Sequence, residues 1–411
     1  MLKKYFKGKP KIRPVHILAI LFLIYIFYVG LAGIPRFLLH TKAAMQSKAD
    51  ARSYIRQTNE LYSGMLETNQ DYKLLQNKGT YINFNGLMAK MLRQPEMNER
   101  VTLNNGHLSI PISESPAPEE ILHAAGPIIN FHNIHTASGG KFLFVLVPSQ
   151  ISKFEDLLPA GYTDTTNATA DSFLALLEEA GVPCLDLREE LQKDGISITD
   201  AYYVTDHHWK PEVGFWAFGK MVEKLEQLSA IKPLDPFYTD PDNYIFETYE
   251  NSFLGSAGKR TGIYFAGTDA STLIRPNFDT DISVRIPKRG SDLRGRYEDV
   301  AYNTDVVLDF INPNYFGDNV YGLYGWSDMP ITHWRNEHAP EQSKFLLIGE
   351  SFGNIPFSLM SICFGSCDEI DPRHFEEDFT AYYKAYQPDT VIVELNIFAI
   401  PSDFTSYTYL D

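Results

Sequence analysis

The stretch Phe345-Leu-Leu-Ile-Gly-Glu-Ser351-Phe-Gly-Asn354 joins a short apolar run to a glycine, a serine and the start of a helical pattern. A short apolar run that ends at a turn residue is typical of a buried strand. Ser351 is therefore predicted at the carboxyl edge of a sheet, where open α/β folds bind their ligands. The helix that follows would offer backbone N–H groups to a developing negative charge. A serine in this position is also a common helix cap.

The segments around this stretch indicate an α/β domain. Further strands are predicted at 141–147, 182–187 and 390–394, and helices at about 118–137 and 170–181. Strand, helix and strand in that order predict a crossover unit of a parallel sheet.

Two other regions carry local signals. Asn105-Gly106 lies between short alternating segments, which predicts a β-hairpin. From about 232 to 340 the pattern loosens into Pro, Gly, Asp and Asn with many aromatic residues. This region is predicted to be an irregular insertion or a strand-rich excursion that lines the site. Its aromatic residues include Trp326 and Trp334, for which packing in the core is one interpretation.

A second polar stretch, Tyr202-Tyr-Val-Thr-Asp206-His207-His208-Trp209, places an acid and two imidazoles just before a helix predicted at about 211–228. A serine nucleophile needs a base to accept its proton, and that base needs a carboxylate to fix its tautomer. The spacing lets Asp206 and His208 lean to one side, whereas His207 is expected to diverge.

The same triplet has two other interpretations. It is compatible with a metal site, but no further His or Cys follows at a metal-ligand spacing. It is also compatible with a helix cap and two structural histidines. We predict neither a metal nor a cofactor.

Asp206-His-His-Trp209 resembles the signature of the bacterial DHHW proteins, which are similar to the alginate-type O-acetylation proteins and the SGNH hydrolases. In that group an Asp-x-His-Trp segment precedes a strand that ends in Gly-Asp-Ser or a close variant, and the order is the same here. The stretches 104–108, 144–148 and 371–373 agree with the resemblance, which covers roughly residues 100–400. Glu350 departs from it, because the family commonly has Asp before the serine.

The resemblance implies an SGNH-hydrolase-like domain over 100–411, a three-layer α/β sandwich with a mostly parallel sheet and the insertion at about 232–340. It implies Ser351 as the nucleophile, His208 as general base and then acid, and Asp206 as the carboxylate that orients the imidazole. The Ser351 N–H is expected to be one oxyanion donor. The further oxyanion or substrate candidates are Asn354, Asn396, Arg373 and Lys153.

The amino-terminal residues predict a membrane anchor. Residues 1–13 form a basic tail, 14–36 an apolar segment long enough to cross a bilayer, and 37–99 a helical stalk. A cleaved signal peptide is the alternative, but its apolar region is usually shorter. Since cationic flanks stay in the cytoplasm, we expect a single-pass protein of the cell membrane with an extracytoplasmic catalytic domain.

The distribution of charge argues against nucleic acids as partners, and the number of cysteines argues against a disulfide framework. Residues 1–40 hold seven of the 36 Lys and Arg and none of the 52 acids, so the rest carries 29 minus 52, or −23. Such a domain would be repelled by nucleic acids. The three cysteines are too few for a disulfide framework. Cys363 and Cys367 are expected to form either one disulfide or two buried thiols.

The resemblance implies a function in O-acyl transfer, with an acetyl group as the expected cargo, from an acyl donor to the hydroxyls of an extracytoplasmic glycan. A membrane-bound O-acyltransferase is the implied partner. With a glycan as acceptor, Trp326 and Trp334 become candidates for stacking on sugar faces, with packing in the core as the alternative. Two alternatives stay open at this point: a carbohydrate acetyl esterase that uses the same residues, and a membrane-tethered glycan-binding or scaffold protein without catalysis.

Overall fold

The computed structural model describes residues 20–25, 27–28, 78–307 and 309–400. The chain divides into two compact units, residues 1–81 and 82–411. Of the first unit the structure describes residues 20–25 and 27–28, which are helical, and the beginning of helix α1 (Lys78–Met91).

Most of the predicted anchor and stalk lies outside the described residues. Of the apolar segment 14–36, the structure describes 20–25 and 27–28, and of the stalk 37–99 it describes the part from residue 78 onward. Within the described part of the chain, no helix combines the length and the apolar character needed to cross a membrane.

A small three-stranded antiparallel sheet follows α1. Its strands are β1 (Glu96–Met97), β2 (Arg100–Thr102) and β3 (Leu108–Ser109). β2 and β3 form the hairpin predicted at Asn105-Gly106, where Gly106 adopts a positive φ of 90°. The domain boundary predicted at residue 100 falls inside this sheet.

The centre of the second unit is an eight-stranded mixed sheet. Its first five strands in spatial order pair in parallel: β5 (Cys184–Asp186), β4 (Lys141–Val147), β13 (Thr390–Asn396), β11 (Glu341–Ile348) and β12 (Phe364–Ile370). The last three pair antiparallel: β10 (Ile331–Arg335), β8 (Ile282–Ile286) and β9 (Ser291–Gly295).

Helices cover both faces of this sheet, so the domain has three layers. On one face lie α2 (Pro118–Ala137), α3 (Thr166–Glu179) and α11 (Phe379–Tyr386), and on the other α6 (Pro211–Gln227) and α10 (Asn354–Cys363). The shorter helices are α4 (Leu187–Asp194), α5 (Ile198–Ala201), α7 (Ser256–Thr261), α8 (Ile263–Ala266) and α9 (Tyr297–Val300).

The packing of strand β4 explains why residues 142–147 are all apolar and do not alternate with polar residues. Its side chains enter two separate cores in turn, Phe142, Phe144 and Leu146 on one face and Leu143, Val145 and Val147 on the other. A strand covered by helices on both faces must be apolar on both. Each such buried side chain contributes about 1.5–3 kcal/mol relative to exposure.

The predicted insertion is more regular than its composition suggested. Besides the antiparallel pair β6 (Tyr244–Phe253) and β7 (Asp269–Pro276), it supplies β8, β9 and β10 to the main sheet. The sheet is therefore mixed: five of its eight strands pair in parallel, as predicted, and the insertion adds three antiparallel strands. Trp326 and Trp334 are buried, at 8% and 0% exposure, which corrects their assignment as sugar-stacking candidates.

The contact between α6 and α10 sets the position of the helix that follows Ser351. Gly214 of α6 faces Ile355 of α10, and an added Cβ at Gly214 would lie 2.7 Å from Ile355 Cγ2 and 2.8 Å from Ile355 Cβ. Because the Cβ of a packed isoleucine has little room to move, this close approach requires glycine.

We expect Gly214→Ala to lower the free energy of unfolding by about 1–3 kcal/mol, because the new methyl group overpacks the contact with Ile355. Gly219→Ala on the same helix is the matched control, since a Cβ there has no atom within 4 Å. That control is expected to gain up to about 1 kcal/mol from helix propensity. Urea unfolding followed by circular dichroism measures both, and equal effects of the two substitutions would contradict the assigned contact.

Candidate active site

Ser351 lies where the sequence placed it, between a central strand and a helix. Strand β11 ends at Ile348, and Ser351 begins a short 3-10 turn (Ser351–Gly353) that runs directly into α10. The serine is partly exposed, whereas the next residue, Phe352, is buried. The hydroxyl is thus presented at the carboxyl edge of the parallel strands, where ligands bind in this class of fold.

Asp206 and His208 sit in the loop between α5 and α6. An antiparallel bridge between Tyr202 and Trp209 closes this loop, and the Tyr203 N–H donates to the His208 carbonyl at 3.3 Å. Because the loop is closed at its base, the acid and the imidazole are held at its tip.

One imidazole joins the other two groups. His208 Nε2 lies 2.7 Å from Ser351 Oγ, and His208 Nδ1 lies 2.5 Å from Asp206 Oδ1. An ionised carboxylate only accepts hydrogen bonds, so the proton belongs on Nδ1 and the lone pair on Nε2 faces the serine hydroxyl. This is the arrangement in which a histidine can take a proton from serine.

Asp206 is held in its charged form despite burial. Its second oxygen, Oδ2, accepts a hydrogen bond from the Ser256 N–H at 2.5 Å, and the residue is 4% exposed. Burial raises the pKa of Asp206, but the imidazoles of His207 and His208 and the Ser256 N–H outweigh burial. The pKa of this carboxyl therefore lies well below its usual range.

Aromatic rings fix the plane of the His208 imidazole. Tyr321 stacks on it, with ring centroids 3.8 Å apart and planes within 12°, and Phe352 packs at a tilt with centroids 4.8 Å apart. Tyr321 comes from the insertion, so this region contributes to the orientation of the histidine. His207 does not diverge as expected, because its ring centroid lies 3.9 Å from that of His208 and its Nδ1 lies 3.2 Å from Ser256 Oγ.

The insertion also clamps the backbone just before Asp206. The Asp269 carboxylate of β7 accepts hydrogen bonds from the N–H groups of Val204 and Thr205, both at 2.8 Å, and from Thr205 Oγ1 at 2.6 Å. The Gly255 N–H in turn donates to Thr205 Oγ1 at 2.8 Å. The sequence did not reveal Asp269 or Ser256, which have no local pattern that marks them.

Behind the serine turn lie two glutamates, Glu350, which is partly exposed, and Glu394, which is buried. Glu350 Oε1 accepts from the Asn396 N–H at 2.8 Å, and Glu350 Oε2 lies 3.8 Å from Arg373 NH1. Glu394 is fully buried; its Oε2 accepts from the Glu350 N–H at 3.4 Å, and its Oε1 has no hydrogen-bond partner among the described residues. The carboxyl groups thus connect the ends of β11 and β13 behind Ser351.

The two glutamates differ in how well their charged forms are supported. Burial raises the pKa of Glu350, although the Asn396 N–H and Arg373 oppose it. Burial, followed by the proximity of Glu350, raises the pKa of Glu394 well above its ordinary value. Of the two carboxyl groups, Glu394 is accordingly the one whose neutral form is favoured more, while Glu350 has more donors for its charged form.

The other four predicted site residues have different surroundings. Asn354 is buried on the first turn of α10, and its Nδ2 has no hydrogen-bond partner among the described residues. The Asn396 amide is occupied by the backbone, since Nδ2 donates to the Pro148 carbonyl at 2.7 Å and Oδ1 accepts from the Phe398 N–H at 3.0 Å.

The two cationic candidates are ion-paired. Lys153 Nζ lies 3.0 Å from both Asp171 and Glu189, in a surface network away from the serine turn. Arg373 makes a two-pronged contact with Asp371 at 2.6 and 2.9 Å and lies near Glu350. Arg373 is therefore connected to the serine turn through Glu350. Lys153 pairs with Asp171 and Glu189 and does not contact Ser351, His208 or Asp206.

Two groups of side chains within the described ranges bring three possible metal ligands within 4.8 Å of one another. In the first, formed by Asp206, His207 and His208, both ring nitrogens of His208 already have hydrogen-bonding neighbours. The second is formed by Asp328, Asp371 and His374, and Arg373 pairs with both of its aspartates.

Comparison with known proteins supports an SGNH-hydrolase-like domain. Residues 123–233 match the family model described as the SGNH hydrolase-like domain of the acetyltransferase AlgX. The matched range includes Asp206 and His208 and ends before Ser351. No curated protein matches the chain.

Solved structures with the same fold include PatB1 from Bacillus cereus, with a TM-score of 0.63 and 19% identity over 76% of this chain and 99% of PatB1. A PatB1 structure with a sulfonyl adduct gives a TM-score of 0.62 and 18% identity, over 76% and 100% of the two chains. A DHHW family protein from Eubacterium siraeum gives 0.55 and 17%, over 76% and 95%. The resemblance predicted from the Asp-His-His-Trp stretch is confirmed, and the chain has an SGNH-hydrolase-like α/β fold.

The raised pKa of Glu394 predicts a pH-dependent stability. A glutamate in the unfolded chain loses its proton above about pH 4.3, whereas folded Glu394 keeps it to a higher pH. The folded state thus binds more protons in this range, and the free energy of unfolding falls as pH rises from that value. Glu394→Gln removes this loss and is expected to raise the free energy of unfolding at pH 7 above that of the wild type.

Urea unfolding at pH 5 and pH 7 measures this effect, and the gain should be much smaller at pH 5. Glu350→Gln is the comparison variant and is expected to destabilise at both pH values, because it weakens the pairing with Arg373. A Glu394→Gln variant that is equally destabilised at both pH values would show that Glu394 acts as a charged group.

Proposed function

We propose that this protein is a serine-dependent O-acetyltransferase that acylates glycan hydroxyls through an acetyl-Ser351 intermediate. The observation that carries the proposal is the position of His208, which lies within hydrogen-bond distance of both Ser351 Oγ and Asp206 Oδ1. The matched family model, which describes an acetyltransferase domain, supports an acetyl group as the cargo.

In the first step, Ser351 Oγ adds to the carbonyl carbon of an acyl ester while its proton passes to His208 Nε2. The charge of Asp206 stabilises the imidazolium that forms. The donor oxygen then leaves with that proton, and the acetyl group remains on Ser351. In the second step a glycan hydroxyl gives its proton to His208 and attacks the acetyl-serine, and Ser351 Oγ leaves with the proton.

The oxyanion that forms in both steps requires hydrogen-bond donors. The Ser351 N–H at the start of the 3-10 turn is the first proposed donor. Asn354 is the second, because its Nδ2 is buried without a partner among the described residues. Asn396 is not part of this proposal, since its amide already holds the backbone after β4.

The proposal includes an anchor and a membrane partner. The basic tail 1–13 and the apolar segment 14–36 support one membrane-spanning helix with the catalytic domain outside. An anchored domain would stay close to a membrane-bound O-acyltransferase that delivers the acetyl group.

We expect protease added to intact spheroplasts to degrade the catalytic domain and to leave an amino-terminal epitope tag protected, because the positive flank stays inside. Immunoblots with antibodies to the tag and to the catalytic domain show which of the two is degraded. A protected domain or a degraded tag would contradict this topology.

Ser351→Ala is expected to lower turnover of a small acetyl ester at least about 10³-fold, because the nucleophile is removed. Asp206→Asn should cost on the order of 10³–10⁴-fold, because the imidazole loses the carboxylate that fixes its tautomer. Ser172→Ala, at an exposed position of α3, is the matched control and should have no effect.

Intact-mass spectrometry of the full chain after incubation with the ester donor distinguishes acetyl transfer from binding without catalysis. We expect one acetyl adduct that is absent in Ser351→Ala and disappears when a glycan acceptor is added, with acetylated glycan as the product. If the adduct decays to free acetate at the same rate with and without acceptors, the protein is an esterase. Unchanged turnover in Ser351→Ala would place catalysis elsewhere.

A further inference from the structure

A groove of about 630 Å³ runs along the outward face of α6, on the side of that helix turned away from α10. Its apolar lining includes Phe215 and Trp216 of α6 and Phe246 of β6, and residues 234–241 close its far wall. Flat aromatic side chains next to polar rim groups are suited to ligands with both apolar and polar faces, as sugars have.

Gly219 lines the floor of this groove and leaves space there because it has no side chain. It lies in the middle of α6, where glycine costs about 1 kcal/mol relative to alanine. An added Cβ there would meet no atom within 4 Å, so close packing does not require glycine at this position, in contrast to Gly214. A side chain at residue 219 would instead project into the groove that Gly219 lines.

The rim of the groove is acidic. Four carboxylates line it, those of Glu212, Glu223, Glu226 and Asp235, together with one cation, Lys220. The charge of Lys220 is already balanced from α4, since its Nζ lies 3.1 Å from Glu190 and 2.8 Å from Asp194. The groove therefore carries a net negative charge and favours a cationic ligand over an anionic one.

The groove begins at the amino-terminal end of α6, which follows the loop that carries His208. Glu212 lies four residues after His208, so their Cα atoms are at most about 14 Å apart even with the chain fully extended. From Glu212 to Glu226 the helix rises about 21 Å. An extended ligand that lies along α6 thus has one end at the helix terminus next to the His208 loop.

We propose that this groove is the acceptor subsite and binds a glycan chain that carries free amino groups, with its reacting hydroxyl held toward Ser351. The inference rests on the proposed function for the identity of the ligand as acceptor. Trp216 and Phe246, which are partly exposed, provide stacking surfaces for sugar rings, and the rim carboxylates provide partners for ammonium groups.

The test uses the full chain in detergent and measures binding of a β-1,4-linked glucosamine hexamer by isothermal titration calorimetry. Gly219→Leu is expected to weaken binding at least tenfold, because the new side chain fills the groove. Gly126→Leu on α2 is the matched control; that glycine is exposed and, like Gly219, lies in a helix with no atom within 4 Å of an added Cβ. It should leave the affinity unchanged.

Glu223→Lys provides a second variant that does not alter the groove floor, since this side chain is 53% exposed. It is expected to weaken binding of the glucosamine hexamer at least fivefold. The fully N-acetylated hexamer should bind more weakly to the wild type than the glucosamine hexamer does, and added salt should reduce the difference.

Three results would overturn the proposal: no binding of the glucosamine hexamer, equal affinities of wild type and Gly219→Leu, or tighter binding of hexalysine at the same groove, which would identify a cationic peptide as the ligand. Ser351→Ala separates this inference from the proposed function, because it should bind the hexamer as the wild type does. If Ser351→Ala keeps its ester turnover while Gly219→Leu no longer binds the hexamer, the proposed catalytic role of Ser351 is wrong but the groove is still the binding site.

Discussion

The contact between the His208 imidazole and the Ser351 hydroxyl joins residues 143 positions apart in the sequence. It exists because β11 and α6 are fixed independently by the central sheet and by the packing of α6 on α10. Gly214 sets how closely those two helices approach. The two parts of the proposed catalytic set thus meet only when the whole α/β core is formed, and the site is a direct consequence of the packing of that core.

Burial of charge is the main cost of this arrangement. Asp206 keeps its charge because two imidazoles and the Ser256 N–H compensate for the loss of water. The insertion supplies Ser256, the Asp269 clamp and the ring of Tyr321, so it completes the site as well as extending the sheet. Behind the serine, Glu394 responds to burial in the opposite way, because burial raises its pKa and favours the neutral acid.

Long apolar or periodic segments allowed the sequence to predict β4 and α2 with the bounds that the structure has. The motif around Asp206 and the strand before Ser351 predicted which side chains would meet, because local spacing determines them. Strands β8 and β10 were missed because each has five residues in a region rich in turns. Tyr321, Asp269 and Glu394 were also missed, since each acts through residues distant in sequence.

Labelling with a sulfonyl fluoride, a class of reagent suggested by the PatB1 adduct, tests most directly whether His208 activates Ser351. The proposed catalytic set predicts one modified residue, Ser351, identified by peptide mapping, and a rate of modification that falls at least about 10²-fold in His208→Ala. Modification of another residue, or an unchanged rate at Ser351 without the imidazole, would contradict it.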